Sequence, residues 1–523
     1  MTDADRIATL RARCLDRKTG AWRSTLIPYA TSLAASQDEP SWQIRRGLAT
    51  RDILATVGFE IDDLELLIGR LGPRPAAATD EALDAARPWA ERHPQPGGQT
   101  GHCELDLGPI FSMGADALSE SIRSRMPSAT TEQKDTWHSF VLALEGLSLM
   151  VEHAAHTART AATASVGAAG THVNARDAAA GLSAGGIARC AEPARRAELE
   201  QMAIACDRIA HEPPRTFRDA IQLLWFVVFA VQYAESISLV VPGRLDRSLR
   251  TFYEADLAAG RITRDEALVL IESLYLLVNE FVPDGLAVSV MVGGRDAVGH
   301  DTTNDLSYLC LEALRRTTLV YPTVGVCWHE GTPQTLTRLA VELIAAGYST
   351  PAFFGDETIR RGLAERGLPA ELACHYINST CVEITPVGCS NVWVASPYFN
   401  LCGMLLETID ECARAEAGPT ASVASAGPAE RAPADATGPA TFADFRRRYD
   451  DLLARRIGAA AAGQNELRRA RAERGGKPLQ SVFTNDCVER GRDIDRGGAR
   501  VNWVECSFVG LANLADSLCA SPK

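Results

Sequence analysis

Ser379-Thr380-Cys381-Val382-Glu383-Ile384-Thr385 places a thiol and a carboxylate two residues apart inside a run of β-forming residues. On an extended segment, residues two apart project to the same side. Cys381 and Glu383 can therefore face one cavity. A cysteine there can act as nucleophile or hydrogen-atom donor, and a glutamate beside it can take or give a proton. A small buried cysteine next to a surface glutamate is the plain structural alternative, because unpaired cysteine is often buried. Spacing does not choose between them, so the reading turns to the rest of the chain.

Working outward, Gln222–Val231 is almost wholly apolar, with Trp225 and Phe226, and predicts a buried helix or strand. Thr263 with Glu266 forms a capping box, and an apolar face follows through Leu268, Leu270, Ile271, Leu274 and Leu277. Residues 286–292 and 320–328 are β-rich runs. Residues 1–70 and 114–160 carry helical periodicity. Pro73–Pro96 is rich in Ala and Pro and predicts a loop or open connection. Downstream, Cys402 and Cys412 fall on a predicted helix. The Ala/Pro/Gly/Ser stretch that follows cannot bury a core and predicts disorder.

The 523 residues are enough for one large barrel or several ordinary domains. A net charge of −13 argues against nucleic acid or an anionic membrane as partner, while leaving small anionic substrates to local Arg clusters. Residues 1–13 are mixed and charged, and no apolar run approaches about 18 residues, so the expectation is a cytoplasmic protein with no membrane contact. None of the 14 cysteines forms a CxxC pair or a zinc or iron–sulfur spacing, so no metal site is expected. His153 and His156 could share a helix face but have no third ligand nearby in sequence. Cys389 lies close enough to Cys381 to reach the same cavity.

Several blocks resemble the glycyl radical enzymes, the pyruvate formate-lyase-like family, and they occur in the family's order. Pro213–Phe226 is similar to "NPPRTFxEAxQxLWF", and Pro242–Arg247 to the "PGRxD" turn. Thr350–Glu357 resembles "GxPAFFNDE", and Cys381-Val382-Glu383 resembles the "GCVE" catalytic loop. Gly497–Arg500 and Gly510–Asn513 match the last blocks before the family's C-terminal segment. The resemblance implies an α/β fold: a ten-stranded α/β barrel of two antiparallel five-stranded halves, surrounded by helices. Residues 1–100 would be an N-terminal helical region. Residues 101–523 would be the barrel domain, with a disordered insertion at 413–441.

The resemblance also implies a mechanism. Cys381 would become a thiyl after losing hydrogen to a glycyl radical, and Glu383 would serve as base on a small organic substrate. His102 matches the family's "GH" segment. Ser238 lies in Glu235–Val241, where the family has a more polar stretch before "PGR", and Trp393 follows the cysteine. These three are the candidate substrate-binding residues. Arg244 and Asp246 are expected to form a structural ion pair. Glu505 could also face the cavity.

The departures are as informative. The family's glycine sits in an "RVxGY" run, and no such run occurs in these residues. The expectation is a two-component enzyme with no cofactor in this chain. A small glycyl-radical-bearing protein would supply the radical, and an activase using S-adenosylmethionine and an iron–sulfur cluster would generate it. A homo-oligomer is left open. Thr380 replaces the family glycine. Ala395 stands fourteen residues after Cys381, where diol dehydratases carry Asp. These changes suit a less polar pocket and leave elimination and decarboxylation both open. The alternatives are polar Cys381/Glu383 chemistry on an inherited barrel, or a non-catalytic subunit that regulates a relative.

Overall fold

Three long helices carry the core of the first part of the chain: α1 (Thr131–Ala164), α2 (Phe217–Glu235) and α3 (Arg264–Phe281). Thr216 and Thr263 each open a helix with a reciprocal capping box, to Asp219 and Glu266 respectively. α2 is buried on nearly every face, with Trp225, Phe226 and Phe229 sealed. The run at 222–231, which the pattern alone could not assign, is therefore a core helix. In this computed structural model the described residues are 2–16, 22–94, 101–164, 193–282, 288–378, 383–389, 393–417 and 441–520. Side chains at 101–103, 164, 238, 393–396, 416–417 and 504–505 lie outside that description.

The strands are short. β1 (Gly101–Cys103) and β2 (Ser238–Val240) pair in parallel. β3 (Ser289–Gly293), β4 (Thr323–Trp328) and β5 (Ala352–Gly355) form a parallel ladder in that order. β3 is buried throughout, as expected of a parallel strand covered by helices. A parallel bridge from Gly243 to Val290 ties the turn after β2 to this ladder. β6 (Tyr376–Asn378) and β7 (Ile384–Pro386) make an antiparallel hairpin.

Two compact units emerge: Met1–Val392 with Arg474–Trp503, and Trp393–Glu473 with Val504–Lys523. The second contains β8 (Trp393–Asn400) and β9 (Val504–Val509), paired in parallel with an irregularity between Val394 and Tyr398. With them go α4 (Leu401–Ala417), α5 (Phe442–Arg474) and α6 (Leu511–Ala520). Its small core joins Phe399, Met404, Tyr449, Leu452 and Leu514. Cys402 and Cys412 lie on α4, and residues 418–440 of the expected insertion are outside the described residues.

The chain is thus mixed α/β and mostly helical. The expected α/β class is met, its closure into a barrel is not seen among the described residues, and one loop expectation is corrected. The closed ten-stranded barrel is not found among the described residues, where four separate ladders of two, three, two and two strands stand instead. A barrel needs every strand paired to both neighbours, and segments 283–287, 379–382 and 390–392 between these ladders lie outside the described residues. The loop expected over 73–96 holds a helix at Asp80–Arg92. Thr79 accepts from the Ala82 amide at its N-cap, and Asp80 and Glu81 favour the first turn. No helix among the described residues is long and apolar enough to cross a membrane.

Candidate active site

The β6–β7 hairpin pairs Tyr376 with Pro386, Ile377 with Thr385 and Asn378 with Ile384. Residues 379–383 connect its two strands, and Cys381 is the middle residue of that connection. Residues 379–382, Cys381 among them, lie outside the described residues. Glu383 closes the connection, half-buried, immediately before β7. The hairpin therefore fixes where the Cys381 segment leaves and rejoins the fold.

Buried polar groups hold this hairpin from behind. The Asn378 amide donates to Met291 Sδ (2.8 Å), and Ser289 Oγ donates to the Asn378 carbonyl. Tyr376 Oη donates to Asp356 Oδ1 (3.1 Å). Arg244, fully buried, sends Nη1 to the Tyr376 carbonyl (3.1 Å) and Nη2 to the Gly293 carbonyl, with its guanidinium 5.9 Å from the Tyr376 ring centre. Arg244 and Asp246 approach to 3.9 Å. Asp246 makes shorter bonds to the Gly293 amide (2.7 Å) and Ser307 Oγ (2.8 Å), so both side chains knit the turn to β3.

Burial sets the protonation states here. It pushes the Tyr376 phenol up, and Cys327 and Asp356 push it further. It drives His375 down to about 3, helped by Arg244 and Arg247, so that imidazole stays neutral. For Arg244 burial opposes the charge, but the acidic side chains around it, Cys327 and Asp246 first, raise its pKa overall. Cys389 is sealed, and burial pushes its thiol up to about 12, which disfavours the thiolate needed for a nucleophile.

The other candidates are placed by backbone alone. β1 carries His102 and β2 carries Ser238. The register sets Gly101 opposite Ser238 and Cys103 opposite Val240, so the two residues are one position apart on neighbouring strands. Between Ser238 and Val240, buried Leu239 holds φ +61, a left-handed backbone that a bulky side chain rarely adopts and that marks a constrained segment. Trp393 opens β8, opposite Val504, in the other unit. Glu505 lies opposite Val394. Among the described residues, no group of three His, Cys, Asp or Glu could hold a metal.

Sequence reasoning missed Glu104, Asp356, Tyr376 and Cys327. Of these, Asp356 lay in the Thr350–Glu357 block with no role read from it, and Glu104 lies two residues beyond His102, with the same spacing as Cys381 and Glu383.

The pyruvate formate lyase-like family matches residues 178–523. The chain is 31% identical over 347 residues to (2S)-3-sulfopropanediol dehydratase of Klebsiella oxytoca, covering 62% of this chain and 40% of that one. It is 29% identical to indoleacetate decarboxylase of Tractidigestivibacter scatoligenes, covering 63% and 38%. The match thus spans about two fifths of these relatives' length. The solved B12-independent glycerol dehydratase of Clostridium butyricum superposes with a TM-score of 0.81 at 23% identity, over 99% of this chain and 71% of that one. The chain belongs to the pyruvate formate lyase-like family of glycyl radical enzymes.

Proposed function

We propose that this chain is the catalytic large subunit of a glycyl radical lyase, acting on a small organic substrate through Cys381 and Glu383. The observation that carries it is Cys381-Val382-Glu383 at the β6–β7 connection of a chain in this family. On this reading the described ladders are parts of the ten-stranded barrel.

A glycyl radical brought against the connection supplies an acceptor for the Cys381 hydrogen atom. Cys381, as a thiyl, takes a hydrogen atom from a substrate carbon and returns one to the product at the end of the cycle. Glu383 takes the proton of a hydroxyl on that carbon as the bond to the neighbouring leaving group breaks. His102 and Ser238, from the paired β1 and β2, bind the substrate. Elimination uses Glu383 as this base. Loss of carbon dioxide is the close variant, since a family relative is named a decarboxylase.

These 523 residues contain no RVxGY run. An RVxGY glycine outside these residues would supply the radical, carried by a small partner protein on the two-component reading, and an S-adenosylmethionine/iron–sulfur activase would generate it. The second reading, polar Cys381/Glu383 chemistry, draws on Thr380 and Ala395.

The test is anaerobic electron paramagnetic resonance with the activase and a small protein carrying an RVxGY motif. A glycyl doublet that needs the small protein is expected, with turnover abolished in Cys381→Ala. Glu383→Gln should lose about 10²–10⁴-fold in turnover and keep the doublet. A doublet without the small protein would put the glycine on a longer form of this polypeptide. Activity in air that needs both residues, with no doublet, would establish the polar reading.

A further inference from the structure

We propose that Glu104 is a positioning residue that pins both strands flanking the Cys381 connection, one through its carboxyl and the other through its main chain. The relevance to catalysis rests on the function proposed above, but the geometry does not.

Glu104 directly follows β1 and is buried. Its carbonyl accepts the Gly388 amide (3.0 Å), two residues past β7, so the outgoing strand is tied to its main chain. Its Oε1 accepts the Arg244 amide (2.9 Å). The Arg244 guanidinium in turn donates to the carbonyl of Tyr376, the first residue of β6, so the incoming strand is tied through the carboxyl.

The fit leaves no slack. A Cβ on Gly243 would lie 1.9 Å from Glu104 Cδ, so the carboxyl lies flat against the turn. Its other oxygen, Oε2, is sealed from solvent with no hydrogen-bond partner among the described residues. A lone buried carboxylate oxygen is costly when charged. Burial accordingly outweighs the Arg244 amide and guanidinium and pushes this carboxyl up to about 8. Glu104 thus works as a neutral acceptor, and a glutamine can replace it.

The test compares Glu104→Ala with Glu104→Gln by site-resolved alkylation of cysteines and amide hydrogen exchange. In Glu104→Ala, Cys381 alkylation should rise at least fivefold and the amides of 376–378 should exchange faster. Cys206 and Cys310, buried elsewhere, should alkylate at the wild-type rate. Glu104→Gln should match wild type within twofold in all three. Where turnover is measurable, Glu104→Ala should lower kcat at least tenfold, with KM within threefold.

Unchanged Cys381 labelling in Glu104→Ala overturns the proposal. So does an equal rise at Cys206 and Cys310, which means general loosening, or a Glu104→Gln as damaged as the alanine variant. If the labelling pattern holds while wild type yields neither radical nor turnover, the proposed function fails and the positioning role stands.

Discussion

At the scale of single residues, Gly243 is where backbone and side-chain demands coincide. Its φ of +79 lies in the left-handed region, and its Cα rests on the Glu104 carboxyl. Gly243→Ala therefore meets two separate costs, the strained φ and the overlap with Glu104. We expect a loss of about 3 kcal/mol, read from denaturant midpoints. Removing the partner in Gly243→Ala/Glu104→Ala should relieve the overlap but not the strain. The double variant should thus be at least about 1 kcal/mol more stable than the sum of the single losses predicts. Strict additivity would mean that the two residues do not touch in solution. The turn itself could be read from Pro242-Gly243-Arg244. The reason for its glycine could not, because Glu104 lies 139 positions earlier in the chain.

Between elements, His211 shows how a single ring can join three. Its Nδ1 lies 3.1 Å from Asp116 Oδ1 on the helix Gly108–Arg123, and its Nε2 lies 2.8 Å from Glu152 Oε1 on α1. Burial alone would lower its pKa, but the two carboxylates raise it overall. A raised folded-state pKa means that this stabilisation is complete below the unfolded value of about 6.5 and fades as pH climbs through the folded one. The ring is 41% exposed, so solvent screening keeps the gain below about 1 kcal/mol. His211→Gln should lower the unfolding midpoint at pH 5.5 and leave it unchanged at pH 9. A constant deficit at both would show that packing, not charge, holds the ring. Legibility at this scale followed local chemistry. The capping box at Thr263 was visible because both partners lie within four residues, and the β-rich runs that predicted strands contain β4 and all of β3 but its last residue. Asp80–Arg92 was hidden because Pro88 sits inside it, while its cap at Thr79 was the overlooked signal. Gln222–Val231 could not be assigned because all its faces are buried, which erases periodicity. The Cys381/Glu383 pair could be proposed from the sequence only because its spacing was joined by family-like blocks elsewhere in the chain. The frame behind it, from Glu104, Arg244, Gly293, Asp356, Tyr376 and Gly388, exists only once the chain has folded.

Over the whole molecule, the same frame should leave a mark on the pH dependence of stability. Glu104 and Glu235 are both buried carboxyls, and burial pushes each up to about 8. Glu235 stands at the end of α2, where the helix dipole disfavours a negative charge. It accepts the amides of Leu479 (2.6 Å) and Gln480 (2.9 Å), fastening a distant segment of the chain. Those two bonds favour the charged form but do not overcome burial. In the unfolded chain both groups titrate near about 4.3. Between that value and 8 the folded state holds more protons, so stability falls as pH rises, by at most about 1.4 kcal/mol per pH unit for each group. The contribution is complete below the unfolded value and is lost through the folded one. Urea unfolding at pH 6, 7 and 8 should therefore give a declining series for the wild-type chain. Glu104→Gln/Glu235→Gln removes both titrations, keeping the Glu104 Oε1 acceptor and one of the two at Glu235, so its series should sit lower but be markedly flatter. Parallel series would mean that both carboxyls are already ionised in the folded protein, and the neutral-acceptor role of Glu104 would fall with them.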